Sequence, residues 1–362
     1  MIDHKEIDWV VIFLVFALCF IGFFCIYSAS YSKGLDFERG FVFKQLSWLG
    51  IALALFILVI LVDYQKIIDM GFVLYILGLM FLLLVLFLGQ VRLGAQRWFN
   101  IGGIAIQPSE FSKLIYIVMM ASYLGHTRAG LSKLKGFLMP MLLTGVPFVL
   151  ILLQPDLGTA LVLVPVFFMM LFAAGARLRY LIGIGLCGVL VSPLFWHFLR
   201  GYQKKRLLVF LDPNKDPLGA GYTIIQSKIA IGSGGLFGKG WLAGTQNQLN
   251  FLPERHTDFI FSVVGEEWGF FGAVVLISLY FLLLKRAVMI VEKTTDIYGK
   301  LLGVGIITML GFQVFVNIAM TIGMMPVVGI PLPLISYGGS SLWTTIIAVA
   351  LLLNVGMRRT RF

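Results

Sequence analysis

Long apolar runs separated by short polar segments recur along the whole chain, and they constrain its fold more than any other feature. Most of these runs are far longer than the roughly 10 residues of a membrane-spanning β-strand. Because lipid offers backbone groups no hydrogen-bond partners, each run is expected to span the membrane as a helix. The composition agrees, since 59% of the residues are hydrophobic and only 12% are charged. We therefore predict an all-α, polytopic membrane protein.

Hydropathy divides the chain into ten predicted transmembrane helices. The spans cover residues 9–29, 43–62, 67–88, 108–125, 137–153, 158–173, 179–198, 263–284, 300–323 and 341–357. With both termini in the cytoplasm, basic loop residues such as Lys133, Arg177 and Lys285 fall on the cytoplasmic side, as the positive-inside rule requires. We expect one integral membrane domain over residues 1–362, with a large extracytoplasmic loop, about 199–262, between helices 7 and 8.

The net charge of +11 would suit a nucleic-acid partner in a soluble protein, but here much of it lies in the short loops of a membrane protein. We therefore expect no nucleic-acid binding. The glycine-rich segment 232–240 does not match a Walker A phosphate loop, because Ser233 stands where that motif needs glycine and Gly240 stands where it needs Ser or Thr. These glycines instead predict tight turns or the close approach of a ligand.

One polar stretch directly before the predicted eighth helix concentrates titratable groups and is the leading candidate for chemistry. Its sequence is Leu252-Pro253-Glu254-Arg255-His256-Thr257-Asp258-Phe259. Glu254 and Asp258 would share one face if the segment were helical, so spacing alone does not choose between these two carboxylates. His256 is a third candidate base, although the sequence shows no partner that would orient it. Arg255 has the charge and the geometry to bind phosphate.

Two further charged groups are predicted at the outer ends of helices. Pro108 opens the fourth helix, and Glu110 and Lys113 share a face at a spacing of three. They form either a salt bridge that orients the helix or an anion-binding site at its amino terminus. Gln154 and Asp156 lie between the fifth and sixth helices, where Asp156 is expected to cap the sixth.

Five other residues carry weaker signals. Arg97 and Trp98 are typical of a membrane interface, as a headgroup contact and an aromatic anchor. Glu266 and Glu267 are expected at the amino terminus of the eighth helix, where negative charge is favourable. Asn317, a lone polar residue in the ninth helix, indicates a hydrogen bond between helices.

The last outer segment, residues 325–341, is too rich in proline and glycine for a continuous helix and too apolar for a free loop. Non-helical backbone at membrane depth needs protein around it, so we expect this segment to pack back into the helix bundle. It contains the motif PVVGIPLPLISYGGSS. Together with QPSE, QPDLGT, LPERHTDFIF and the ten spans, this motif resembles the SEDS family, named for shape, elongation, division and sporulation. The resemblance covers essentially the whole chain and is strongest to the elongation members, with the division and sporulation members as close alternatives.

The resemblance implies a peptidoglycan glycosyltransferase of the bacterial cytoplasmic (inner) membrane. Such an enzyme polymerises lipid II, an undecaprenyl-pyrophosphate-linked disaccharide peptide, into glycan strands on the outer face during cell-wall elongation. The family's catalytic aspartate matches Asp258, and this match decides between the two carboxylates. Asp258 would act as general base on the acceptor hydroxyl, with undecaprenyl pyrophosphate as the leaving group. Partial desolvation beside Phe259 and Phe261 would raise its pKa toward a useful value.

The resemblance also implies substrate contacts and partners. Lys113, through the QPSE motif, is better supported than Arg255 as a contact to pyrophosphate. The full set of candidate substrate-binding residues is Lys113, Glu110, Arg97, Trp98, Glu254, Arg255, His256, Gln154, Asp156 and Ser336. No cofactor is certain, but a divalent cation such as Mg²⁺ would neutralise a pyrophosphate leaving group. The expected partners are lipid II and nascent glycan, a class B penicillin-binding protein that acts as the elongation transpeptidase, and the cell-elongation machinery.

Functions from other classes stay open at this point. Broken segments near Pro155 and Pro331 also suit a lipid II flippase or another transporter, and a noncatalytic scaffold fits the same topology. A division-type polymerase of the same family would differ only in its cellular role. The predicted position of the carboxylates argues against transport, because they cluster at the outer interface and not near the membrane midplane.

Overall fold

The protein is described here by a computed structural model over residues 7–31, 39–92, 95–127, 131, 133–198, 201–217 and 219–358. The helices are α1 (Trp9–Ser30), α2 (Arg39–Leu61), α3 (Tyr64–Asp69), α4 (Gly71–Leu88), α5 (Pro108–His126), α6 (Leu138–Leu153), α7 (Leu157–Ala173), α8 (Leu178–Phe198), α9 (Gly201–Leu211), α10 (Ala220–Ser233), α11 (Thr245–Gln248), α12 (Ile260–Glu267), α13 (Gly269–Glu292), α14 (Ile297–Thr321) and α15 (Gly339–Arg358). The strands are β1 (Gln90–Arg92), β2 (Ala95–Ile101) and β3 (Ile104–Ile106), all between α4 and α5.

A helix lies in each predicted span, and seven helices of the described residues are long and apolar enough to cross a membrane. Helix α7 and the first part of α8 are apolar but shorter. Aspartates cap several of these helices, since Asp8, Asp156 and Asp296 accept hydrogen bonds from the first turns of α1, α7 and α14. The protein is therefore a multi-pass membrane protein. The number of ten crossings and the cytoplasmic position of both ends stay predictions.

A three-stranded antiparallel sheet departs from the all-α prediction. Strand β2 lies in the middle, and its Trp98 faces Gln90 across the pairing with β1. Gly102 and Gly103, with φ of 58° and 85°, form the two-residue turn between β2 and β3. The strands are too short to register in a hydropathy window of helical length, which is why the sheet was not predicted. Arg97 lies on this sheet as well, so the sheet positions a candidate substrate contact.

The long outer loop predicted at residues 199–262 is largely helical. Helices α9, α10 and α11 occupy it, and α12 begins at Ile260 inside it. The predicted eighth span is really two helices, because α12 and α13 meet at Gly269, which has a φ of 66°. A Cβ on Gly269 would lie 2.3 Å from the backbone nitrogen of Gly238, so only glycine permits this approach. The glycine-rich segment 232–240 therefore forms a tight turn against the helix break, as its sequence indicates.

Glu266 and Glu267 end α12 and come just before the amino terminus of α13, so they do not lie in the first turn of a helix as predicted. Donors from neighbouring segments compensate their charge. Oε1 of Glu266 accepts from Nζ of Lys239 at 2.8 Å and from the backbone N–H of Gln246 at 3.0 Å. Glu267 accepts from the hydroxyl of Ser28 in α1. The two carboxylates thus fasten α1 and the glycine-rich loop to α12.

The last outer segment packs back into the bundle, as predicted. Ile330, Leu332 and Ile335 are all buried. Helix α1 approaches this segment so closely that a Cβ on Gly22 would lie 2.8 Å from the carbonyl oxygen of Leu334. The absence of a side chain at Gly22 is therefore a condition of this contact.

We expect Gly22→Ala to lower the free energy of unfolding by about 1–3 kcal/mol, because α1 and the last outer segment must separate to admit the methyl group. Gly50→Ala is the matched control, since nothing lies within 4 Å of a Cβ added to this glycine of α2. Thermal unfolding of the purified protein in detergent measures both variants. Equal unfolding temperatures for Gly22→Ala and wild type would contradict the close approach.

Candidate active site

A small, partly open cavity lies where β2, the corner between α6 and α7, helix α9 and the last outer segment meet. Its wall combines two guanidinium groups and an amide with apolar side chains. The lining residues are Arg97, Pro155, Leu157, Gln203, Arg206, Leu207, Pro326, Val327 and Val328. Such a wall suits an anionic ligand attached to a less polar group, because guanidinium groups bind phosphate and carboxylate.

Asp258 is not among the residues that line this cavity, but it lies close to Arg206, which is one of them. A Cβ on Gly329, which has a φ of 75°, would lie 3.2 Å from Oδ2 of Asp258 and 4.0 Å from Nη1 of Arg206. The carboxylate and the guanidinium therefore face the same bare stretch of backbone. Since Arg206 also lines the cavity, the acidic and the basic group share one site.

The surroundings of Asp258 raise its pKa to about 6. Burial is the largest cause, and the carboxylates of Glu254 and, more weakly, Asp156 act in the same direction. Arg206 and Arg97 oppose the shift, because nearby cations favour the ionised carboxylate. A carboxylate with this pKa is a stronger base than an ordinary aspartate and is still mostly ionised at neutral pH.

Backbone carbonyls hold both arginines of the cavity. Nε of Arg97 donates to the carbonyl of Gln154 at 3.0 Å, and its Nη2 donates to the carbonyl of Pro155. Nη1 of Arg206 donates to the carbonyl of Val327 at 3.2 Å. The corner between α6 and α7 thus positions one guanidinium, and the last outer segment positions the other.

Asp156 caps α7, as predicted, by accepting from the backbone N–H of Thr159 at 3.2 Å. Its Oδ2 atom accepts from Nε2 of Gln107 at 2.8 Å and from the hydroxyl of Ser109 at 2.9 Å. Nη1 of Arg97 lies 3.7 Å from Oδ1. Because Asp156 is almost fully buried, its role in the structure is to join β2, α5 and α7 behind the cavity.

Glu110 and Lys113 pair with each other, with 2.9 Å between Oε1 and Nζ. Both residues are buried, and neither is among the residues that line the cavity. Gln154 is also fully buried and donates to the carbonyl of Leu82 at 2.9 Å. Of the two alternatives for the Glu110–Lys113 pair, the structure thus contains the salt bridge.

The side chains of Glu254 and Arg255, which precede Asp258 in the polar stretch, make contacts elsewhere. The stretch is not helical before α12, and Glu254 has a φ of 51°, so Glu254 and Asp258 do not share a helical face. Glu254 is exposed and accepts from the hydroxyl of Thr257 at 3.1 Å. Nε of Arg255 donates to the carbonyl of Ala29 near the carboxyl end of α1, where positive charge is favourable.

His256 packs between two aromatic rings. Its ring centroid lies 4.8 Å from that of Phe41 and 5.7 Å from that of Tyr337. Burial lowers the pKa of His256. The charge of Glu254 opposes this shift and that of Arg255 adds to it, and the net lowering favours the neutral imidazole.

Ser336 supports the backbone beside Asp258. Its hydroxyl donates to the carbonyl of Thr257 at 2.6 Å and accepts from the backbone N–H of Leu332 at 2.8 Å. The side chain is buried, so its hydroxyl links the last outer segment to the polar stretch.

Sequence reasoning missed Arg206 and misjudged Asn317. Arg206 follows Lys204 and Lys205 in a basic run, and nothing in that run singles it out. The predicted partner of Asn317 was another helix, but its amide bonds to two loop carbonyls, of Asp258 and Ile330. The importance of both residues becomes visible only through what they contact.

Comparison with known proteins agrees over the full length of the chain. The family model described as "Cell cycle protein", which unites FtsW, RodA and SpoVE, matches residues 8–361. The chain is 40% identical over 363 residues to the peptidoglycan glycosyltransferase MrdB of Escherichia coli K12, covering 99% of this chain and 95% of that protein.

Two solved structures are similar to the fold described above. One is the rod shape determining protein RodA of Thermus thermophilus, with 34% identity, a TM-score of 0.74 and 98% of each chain covered. The other comes from a peptidoglycan synthase complex in which polymerization and crosslinking are coordinated, with 37% identity, a TM-score of 0.83 and coverage of 98% of this chain and 99% of that one. This chain therefore belongs to the FtsW, RodA and SpoVE family of cell cycle proteins, which is the SEDS family that its motifs indicate.

Proposed function

We propose that this protein is a peptidoglycan glycosyltransferase that polymerises lipid II during cell-wall elongation, on the outer face of the bacterial cytoplasmic membrane. One observation carries the proposal: the carboxylate of Asp258, with a pKa raised to about 6, lies near Arg206, which lines a cavity together with Arg97. The name of the relative MrdB, a peptidoglycan glycosyltransferase, supports the same activity.

Asp258 is the general base in this mechanism. A hydroxyl of the acceptor sugar attacks the anomeric carbon of the donor, and Asp258 takes the hydroxyl proton as the new glycosidic bond forms. The bond between the anomeric carbon and the phosphate oxygen breaks, and undecaprenyl pyrophosphate leaves with the bonding electrons. Attack from the opposite face converts the α linkage of the donor into a β linkage. One carboxylate suffices, because pyrophosphate departs without the acid catalyst that a glycosidase supplies.

Arg206 and Arg97 are the proposed pyrophosphate contacts. Negative charge grows on the pyrophosphate as it departs, and fixed cations stabilise such charge without reorganisation. The planar guanidinium group also matches the geometry of phosphate oxygens. Lys113 is a weaker candidate than its motif suggests, because its ammonium group is already paired with Glu110 in a buried salt bridge. Arg255 is likewise directed to the end of α1.

A divalent cation has no preformed cage in the described part of the chain, where no three His, Cys, Asp or Glu side chains form a group that could hold one. Mg²⁺ commonly binds through one or two carboxylates together with substrate phosphates, so an ion here would be held mainly by the pyrophosphate and would have to leave an oxygen of Asp258 free to take the proton. Such an ion would supply further neutralisation of the leaving group. The roles of Asp258 and the two arginines do not depend on it.

A class B penicillin-binding protein is the proposed partner, with other components of the cell-elongation machinery. Polymerisation yields uncrosslinked glycan, so a transpeptidase must act on the product. The similarity to a chain of a peptidoglycan synthase complex supports this pairing.

We expect Asp258→Asn to lower polymerisation of lipid II by at least about 10²-fold, because the amide has the same shape but cannot accept the proton. Labelled lipid II is given to the purified protein with its partner, and the glycan chains are resolved on a gel. Glu254→Gln, a change to an exposed carboxylate of the same stretch, is the control. It is expected to keep polymer formation close to wild type at neutral pH, where Asp258 is mostly ionised, and to move only the acidic limb of the pH profile to lower pH, because Glu254 raises the pKa of Asp258.

Polymer formation by a folded Asp258→Asn variant at the wild-type rate would exclude Asp258 as the base. A wild-type protein that moves lipid II across vesicles and makes no polymer would instead favour the transporter.

The wild-type rate should depend on pH through Asp258. A base must be ionised, so kcat/KM rises as pH increases through the pKa of about 6 and falls away below it. Initial rates of polymerisation between pH 5 and pH 8 measure this rise, which is the acidic limb of the pH profile. A flat profile across this range would contradict the assigned base.

Arg206→Ala should both slow the reaction, by about 10²-fold, and move the acidic limb to higher pH. The shift upward follows because Arg206 lowers the pKa of Asp258, and its removal lets the pKa rise further. Lys204→Ala, a loss of one positive charge on the same helix α9, is the matched control and should change neither quantity. If the acidic limb of the pH profile does not shift in Arg206→Ala, the guanidinium of Arg206 does not lie near the carboxylate of Asp258 in the active enzyme.

A further inference from the structure

Asn317 connects the two segments that meet at the active site. It lies near the outer end of α14 and is fully buried. Its Nδ2 atom donates to the carbonyl of Asp258 at 2.9 Å and to the carbonyl of Ile330 at 2.7 Å. Ile330 directly follows Gly329, whose backbone faces both the carboxylate of Asp258 and the guanidinium of Arg206. One amide group therefore holds the main chain on both sides of the site.

The surroundings of Asn317 determine which way round its amide lies. The Oδ1 atom is buried and has no hydrogen-bond partner among the described residues. If the amide were rotated by 180°, Oδ1 would face the two carbonyl oxygens, and neither of them can donate a hydrogen bond. An apolar side chain would avoid the free-energy cost of an unpaired buried oxygen, so the contribution of the asparagine is its two N–H donors.

The aspartate carbonyl is the last of three consecutive carbonyls held from outside the polar stretch. The carbonyl of His256 accepts from the backbone N–H of Tyr337 at 2.8 Å. The carbonyl of Thr257 accepts from the hydroxyl of Ser336 at 2.6 Å. These two donors belong to the last outer segment, whereas Asn317 belongs to a membrane-spanning helix. Asn317 thus ties the stretch to the rigid frame of the bundle.

We infer that Asn317 is a positioning residue for glycosyl transfer, which keeps the backbone of Asp258 and the turn at Gly329 and Ile330 at a fixed separation. It thereby holds the base in register with Arg206, although its own side chain touches neither sugar nor phosphate. The inference rests on the proposed function, because it assigns Asn317 a part in the reaction of Asp258. A displacement of about 1 Å at a reacting group can slow an enzyme by about 10²-fold, so a single lost anchor is enough to be measured.

The test compares Asn317→Leu, which has a similar size and no donors, with wild type in the lipid II polymerisation assay. We expect kcat to fall by about 10–100-fold with little change in KM, because the substrate contacts stay in place. Asn354→Leu in α15 is the control for loss of a buried asparagine away from the site, since Asn354 is equally buried and its Nδ2 also donates to backbone carbonyls, of Val59 and Val62. It is the more severe structural change, because Oδ1 of Asn354 also accepts from the backbone N–H of Tyr64 and from Nη1 of Arg358. Its partners lie far along the bundle from Asp258, so kcat should stay close to wild type for folded protein.

The pH profile separates positioning from a general loss of stability. The charged groups that influence Asp258 are Glu254 in its own stretch, Arg206 on α9, Arg97 on β2 and Asp156 at the corner before α7. If Asn317→Leu releases the backbone of Asp258 toward solvent, burial raises its pKa less and the acidic limb of kcat moves to lower pH. A variant that is merely less folded would lose the same fraction of activity at every pH.

Asn317→Asp keeps the shape of the side chain and covers the case in which Asn317→Leu does not fold. Its carboxyl group donates at most one hydrogen bond when protonated and none when ionised, so kcat should fall below wild type in either form. Two outcomes would overturn the inference. One is a wild-type kcat in Asn317→Asp. The other is a loss of kcat in Asn317→Leu that only equals the loss in Asn354→Leu, with the acidic limb of the pH profile unmoved.

Asp258→Asn is assayed in parallel to separate the two proposals. Activity in Asp258→Asn would refute the proposed base. Inactivity there, together with a wild-type rate and pH profile in Asn317→Leu, would refute only the positioning role.

Discussion

Buried backbone outside helices and strands must have its hydrogen bonds satisfied by other protein groups, and this constraint governs the segments around Asp258. Two such segments, the polar stretch and the last outer segment, satisfy one another. The donors of Ser336 and Tyr337 meet the carbonyls of the polar stretch, and Asn317 bonds to both segments at once. The hydrogen bonds that satisfy this backbone also hold Asp258 in place. The stability of the site and its geometry therefore depend on the same network.

Electrostatic compensation sets Asp258 apart from several other acidic groups among the described residues. Asp156, Glu110 and Glu266, for example, form ion pairs with Arg97, Lys113 and Lys239. The pKa of Asp258 is instead subject to opposing effects. Burial and the charge of Glu254 raise it more than Arg206 and Arg97 lower it, so it reaches about 6. A tight ion pair would have lowered the pKa and weakened the base. A partly compensated carboxylate is therefore what a base in this position requires, and the same arginines remain beside the place where pyrophosphate would leave.

Much of the architecture was predictable because its signals are local. Apolar runs predict helices wherever lipid forces the backbone to bond within itself, and Asp156 precedes such a run at the place where a cap is needed. The break at Gly269 was not predictable, because residues on both sides of it are apolar and hydropathy does not report a positive φ. The sheet that carries Arg97 was missed for a related reason, since its strands are shorter than any helical window.

The sequence alone determined the membrane class, the order of the helices and the family, and it singled out Asp258 as the residue to propose as the base, because composition and continuous motifs carry this information. Only the tertiary structure decided which cations accompany Asp258. Arg255 is close to Asp258 in sequence but contacts the end of α1. Arg206 is 52 residues before Asp258 in the chain, yet it lies in the same site. The physical reason is that charge acts through distances in space, and these depend on how α9, α14 and the two outer segments pack.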